Sequence, residues 1–200
     1  MRKIDDIAAL EALYGEASEA AIRKVAKRIT PMYRRWIEAS RFCVLSTVGD
    51  SGTDGTPRGD DGPVVEILDP GTLLMPDWRG NNRLDSLRNI VTDGRVSLMF
   101  MVPGENVVVR VNGRAALTDD AEMRARFVQR KTQPATVMVI EVGEVYAQCP
   151  KALLRSGLWR RDDSDGVPSL GDILSEMTEG EIDATDWDTS YPDRAAQTLW

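Results

Sequence analysis

Hydrophobic and polar positions alternate most regularly around the middle of the chain. Val107, Val109, Val111, Ala115 and Leu117 share one side of an extended run, while Arg110, Asn112 and Arg114 take the other. A period of two predicts a half-buried strand over residues 107–117. Apolar runs at residues 42–48, 64–68, 72–75 and 137–148 predict further strands, and the unbroken run 96–102 predicts one buried on both faces. Asp69-Pro70-Gly71 supplies a tight turn between two of them. Residues 50–62, rich in Gly and Asp, predict a long loop or a wide hairpin connection.

Helical spacing is confined to a few places. It covers residues 4–14 and residues 18–29, where Ala21, Ile22, Val25, Ala26 and Ile29 would share a face. Pro31 can open a third helix reaching residue 39, and Asp119 can cap another that runs through Val128. Six strands with few intervening helices predict a mainly β (α+β) fold. A small antiparallel barrel with peripheral helices satisfies that pattern. A doubly wound sheet would need a helix between nearly every pair of strands.

One segment carries candidate chemistry. After the strand at residues 72–75 come Asp77, Trp78, Arg79, Asn81 and Asn82, and then Leu84, Leu87, Ile90 and Val91 at helical spacing. Asn81 or Asn82 can serve as the N-cap, which puts Arg83 in the first turn. A helix start offers unpaired N–H groups and the positive end of a dipole. Basic residues there are unfavourable unless an anion compensates them, and Arg79 and Arg83 could grip a phosphate between them. The alternative is that they pair with Asp77 and Asp85 on a wet surface. Arg58 has the same two options: a ligand, or Asp60 and Asp61.

Composition removes several function classes. The chain of 200 residues contains no histidine, which excludes Ser-His-Asp and Cys-His triads, most zinc sites and haem held by a proximal His. Asp163, Asp165 and Gly166 hint at a calcium loop, but Arg161 would be its first ligand, so no metal site is expected. There is no GxGxxG and no GxxxxGK[ST] loop. Cys43 and Cys149 are expected to be free thiols, both small buried residues. Met1-Arg2-Lys3 leads into Asp5, Asp6 and Glu11 rather than an apolar leader, and no segment is long enough to span a membrane. A cytoplasmic protein without a membrane partner is expected.

The net charge of −7 is unevenly spread: residues 162–200 hold eleven acids and one base, so the body is mildly basic. The body's excess is too small to argue for nucleic acid. The tail is expected to be solvated, to add little core, and to be a poor lining for an anion site. Ile173, Leu174 and Met177 allow one short amphipathic helix in it, and Trp187, Tyr191 and Trp200 could anchor it to the body.

Four motifs in this order resemble a known family: TPRGDDG (residues 56–62), MPDWRGNNRLDSLRNI (75–90), VRVNGRA (109–115) and CPKALLRSGLW (149–159). They are similar to the pyridoxamine 5'-phosphate oxidase-related flavoproteins, in particular the branch of FMN-dependent enzymes of unassigned substrate. The resemblance covers most of residues 20–160. It implies an antiparallel split β-barrel that forms a homodimer and holds FMN between subunits, with deazaflavin F420 as the alternative cofactor. It divides the chain into N-terminal helices (1–40), an FMN-binding barrel (41–160) and an acidic extension (161–200). Carried over, it implies Arg58 near the flavin, Asp77, Trp78 and Arg79 along the ribityl and phosphate region, and Asn82 and Arg83 at the phosphate. Lys151, Arg155 and Trp159 would approach the cofactor from the C-terminal part, out of either subunit.

Two departures bear on activity. The named oxidase has Gln where this chain has Val108, and its closing Arg-Leu-His is missing. Both features serve the pyridoxine substrate, so vitamin-B6 oxidase activity is not expected. The reading that remains is an FMN-dependent oxidoreductase acting on a small molecule, or a flavin-binding carrier or sensor without turnover. No catalytic residue can be assigned.

Overall fold

The computed structural model describes residues 1–50 and 52–200. Seven strands form one antiparallel sheet: β1 Phe42–Gly49, β2 Gly52–Gly59, β3 Glu66–Asp69, β4 Thr72–Asp77, β5 Arg95–Met101, β6 Val108–Thr118 and β7 Thr136–Gln148. Their order across the sheet is β2-β1-β5-β6-β7-β4-β3, every neighbouring pair antiparallel. The architecture is that of an antiparallel split barrel with peripheral helices. No helix among the described residues is long and apolar enough to cross a membrane.

Period-two patterning built this sheet as expected. Inward residues of β1 (Cys43, Leu45), β5 (Val96, Leu98, Phe100), β6 (Val109, Val111) and β7 (Met138, Ile140, Val145) form the core. Near complete burial of Phe100, Leu98 and Ile140 stabilises the barrel by about 1.5–3 kcal/mol each. Strand β5 alternates buried and half-buried residues, so only one of its faces is fully covered. The other face, Arg95, Ser97, Met99 and Met101, is exposed or half-buried, so the expected burial on both faces does not hold within this chain.

The span 50–62 is a correction. Residues expected to be loop include β2, which pairs with β1 from Phe42↔Gly59 to Gly49↔Gly52. Its sequence GTDGTPRG is dominated by Gly, Asp and Pro, which are depleted in strands; ladder hydrogen bonds to β1 hold it extended. Strand β6 is also interrupted. A bulge falls between Asn112 and Gly113, where a Cβ on Gly113 would lie 2.0 Å from the Glu141 carbonyl oxygen.

Helices are shorter than their periodicity implied. The first two are α1 Ile7–Glu11 and α2 Glu19–Arg23, neither with a buried residue. Beyond α2 the chain straightens: Ala26 bridges to Val145, and Ile29 is buried against the barrel instead of continuing a helical face. Helix α3, Pro31–Glu38, starts at Pro31 as expected and buries Ile37. Helix α4 is Asp85–Thr92 and packs on β1, its Asn89 side chain donating to Thr47 Oγ1 at 3.0 Å. Helix α5, Ala121–Ala125, is capped by Asp120 and not Asp119, because the Asp120 carboxylate accepts from Glu122 and Met123 N–H.

Three helices follow the sheet: α6 Lys151–Ser156, α7 Leu170–Met177 and α8 Ala184–Thr198. A reciprocal Ser169–Asp172 capping box starts α7. Helices α7 and α8 form a hairpin, closest where Gly171 N–H donates to Asp188 Oδ1 at 3.0 Å. A Cβ on Gly171 would lie 2.4 Å from the Ala184 carbonyl oxygen. The tail therefore holds two helices where one was expected, and Ile173 and Met177 are exposed.

Candidate functional site

The split in the barrel opens a cavity of about 1170 Å³ between β2, the end of β4 and the start of α4. Six of the nine sequence-derived candidates line it: Arg58, Asp77, Trp78, Arg79, Asn82 and Arg83. Lys151 and Arg155 are exposed on α6 and do not line it in this chain; Trp159 follows α6 and donates its indole N–H to the Glu105 carbonyl at 2.7 Å.

Arg58 extends from β2 and Asp77 from the end of β4, and they form an ion pair at 2.6 Å with four-fifths or more of each side chain buried. Neither Asp60 nor Asp61 takes Arg58. Asp60 accepts instead from Trp78 Nε1 (2.7 Å) and Gln129 Nε2 (2.9 Å), and so fixes the indole against the cavity wall. Asp61 pairs with Arg41.

The start of α4 differs from its expected form. The helix begins at Asp85, two residues late, with Leu84 as N-cap in the left-handed region (φ 63°) and no side chain capping the first turn. Asn82 is also left-handed (φ 59°). Asn81 cannot cap the helix because its side-chain oxygen accepts from Arg83 N–H at 3.1 Å, a local turn that competes with capping. Arg83 therefore precedes the helix and pairs with Asp85 at 2.9 Å, the surface alternative foreseen for it. Arg79 makes no ion pair among the described residues.

Left-handed φ at a residue as bulky as Leu84 costs about 1–3 kcal/mol and concentrates at functional sites. The uncapped first turn of α4 lies at the cavity, where Leu84, Asp85, Ser86 and Leu87 line the wall together with Arg79 and Arg83. Two buried polar atoms of cavity residues lack partners: Arg58 Nε and Thr136 Oγ1. An unpaired buried donor is costly and asks for a ligand acceptor.

Thr136, Asp60, Leu199 and Trp200 were missed as site residues. Thr136 opens an apolar strand and carries no sequence signal. Leu199 and Trp200 correct the expectation for the tail, since both line the cavity. The acids of the tail end at Asp193, and averaging charge over the whole segment hid its apolar end.

Burial raises the Cys43 thiol to about 12, with the nearby Arg58 charge opposing the shift. Cys149 is exposed rather than buried, and both cysteines are free.

Residues 29–149 match the family model for pyridoxamine 5'-phosphate oxidase. The chain belongs to that family. The matched region holds every strand and the wall of the cavity up to Thr136, and stops short of α6, α7 and α8. No curated protein matches the chain closely enough to count as a relative. Among solved structures it is similar to HupZ of Group A Streptococcus, at 17% identity over 60% of this chain and 93% of that one (TM-score 0.49). It is also similar to an FMN-binding protein from Syntrophomonas wolfei, at 16% identity over 59% and 89% of the two chains (TM-score 0.43). An F420 reductase is 17% identical over 58% of this chain and 98% of its own (TM-score 0.43).

Proposed function

We propose that the cavity binds FMN and that the protein is a flavin-dependent oxidoreductase acting on a small organic substrate. The observation that carries this reading is the α4 start: uncapped N–H groups and two arginines around one opening, a site for a phosphate monoester. Family membership supports the same ligand. The residues fit the group. Arg79, Arg83 and the helix start would hold its phosphate, Arg58 and Thr136, each with a buried polar atom lacking a partner, would border its polar edges, and Trp78 would give an apolar wall.

Bound FMN would supply the transfer of a hydride or an electron pair. The chain's own contribution is binding, orientation and exclusion of water. Asp77 holds Arg58 in place, and Asp60 holds Trp78. With no histidine present, we assign no proton-transfer residue.

The site is completed by a second copy of the chain in this reading. Lys151, Arg155 and Trp159, which the family resemblance puts near the cofactor, lie outside their own chain's cavity and come from a partner in a homodimer.

The purified protein is tested first by its absorption spectrum and by mass spectrometry of any released cofactor. Flavin bands and an FMN mass are expected. An F420 mass would replace the cofactor but keep the site, and a colourless protein that takes up neither would overturn the reading. Reduction by NADH or NADPH followed by reoxidation separates an enzyme from a carrier. Light scattering should give a dimer.

A further inference from the structure

Helix α8 ends at the cavity. Leu199 and Trp200 line it, and the Trp200 ring meets the Trp78 ring edge to face, with centroids 5.4 Å apart and planes at 87°. A second contact lies alongside, where Arg130 Nη1 donates to the Ala196 carbonyl at 3.5 Å. Arg130 follows Gln129, which holds Asp60, and Asp60 holds Trp78. One short connection between α5 and β7 therefore touches both the cavity wall and the end of the tail.

An indole on a helix end could be simple surface packing. Three observations weigh against that. Trp200 is only half-buried and joins no core cluster. Trp78, its neighbour, is fixed by a hydrogen bond to Asp60 and lines the cavity. The cavity measures about 1170 Å³ with Trp200 in place, against ~300–1000 Å³ for ordinary small-molecule sites. Trp200 lines the cavity without filling it.

We propose that Trp200 is a wall of the ligand site, and that the α7–α8 hairpin is a strap retaining a planar conjugated ring beside Trp78. The assignment rests on the FMN reading above, with the flavin ring as the retained group. Two indoles at right angles offer a face and an edge, and a flat ring packs into that corner by offset stacking or edge contact. The strap lies outside residues 29–149, the segment that matches the family model.

The test is the dissociation rate of FMN from the reconstituted full chain, followed by recovery of free-flavin fluorescence. Trp200→Ala, and separately deletion of residues 199–200, should speed release about three- to tenfold, the worth of one aromatic contact. Trp200→Phe should restore most of the retention. Thermal unfolding of ligand-free protein checks that the variants fold. An unchanged rate in folded Trp200→Ala overturns the assignment, and slower release would show the tail obstructing the site. Wild type that takes up no FMN overturns the cofactor reading and this one together; wild type that binds while the variants behave identically overturns only the wall.

Discussion

Arg58 and Asp77 tie together the two ends of the sheet. Strand β2 is the first in sheet order and β4 the sixth, and their ion pair at 2.6 Å crosses the split in which the cavity lies. The pair spans the split and leaves Arg58 Nε buried without a hydrogen-bond partner.

Removing one partner would strand the other as a mostly buried charge. Asp77→Ala is expected to lower stability by about 1–3 kcal/mol, scaled down from a fully buried pair because both groups retain some exposure. Urea unfolding measures this. Loss below a few tenths of a kcal/mol would mean the latch contributes nothing.

The two candidate phosphate arginines should not be equal. Arg79 has no carboxylate to release, whereas Arg83 must leave Asp85. Arg79→Ala is expected to weaken FMN binding by about 1.5–3 kcal/mol, and Arg83→Ala by less. Exposed Arg88, which does not line the cavity, should tolerate Ala. Calorimetric titration of the three variants gives the ranking, and equal curves for wild type and Arg79→Ala would remove the proposed site.

The thiols should differ sharply. Cys149 is exposed and should react with a disulfide reagent at neutral pH, while Cys43, buried and raised to about 12, should not until the protein unfolds. The linkage has a definite sign. An unfolded Cys ionises near 9.0 but the folded one does not, so the folded state binds more protons above that pH. The contribution from Cys43 is whole below about 9 and is lost as pH rises toward about 12. Cys43→Ala should flatten that part of the stability profile.

At the bulge, Gly113→Ala forces a methyl group against the Glu141 backbone, which cannot swing aside as a side chain could. A loss of about 1–3 kcal/mol is expected from overpacking. Gly55, with nothing near its Cβ position, is the control and should accept Ala with little change.

Legibility in the sequence followed the strength of the local signal. Val107 to Leu117 alternates because one face of β6 is buried, and that pattern was readable. Strand β2 was not, since Gly52–Gly59 is held by its neighbour β1 and has no apolar face of its own. Arg79 and Arg83 stood out because cations are unfavourable near a helix start. The register of that start was misjudged because Asn81 spends its oxygen on Arg83 N–H, a competition that spacing cannot reveal. Trp200 was legible as an anchor for the tail but not as a cavity residue, because what it meets lies more than a hundred residues away in Trp78.

The two edge strands bear on how copies of this protein can meet. Strand β2 presents Pro57, which has no N–H to offer, with Asp54 and Arg58 on the same short run, and β3 is only four residues long with acids at both ends. Such edges resist recruitment of a further strand, the route to open-ended aggregation. Growth of a continuous sheet through either end is thus disfavoured.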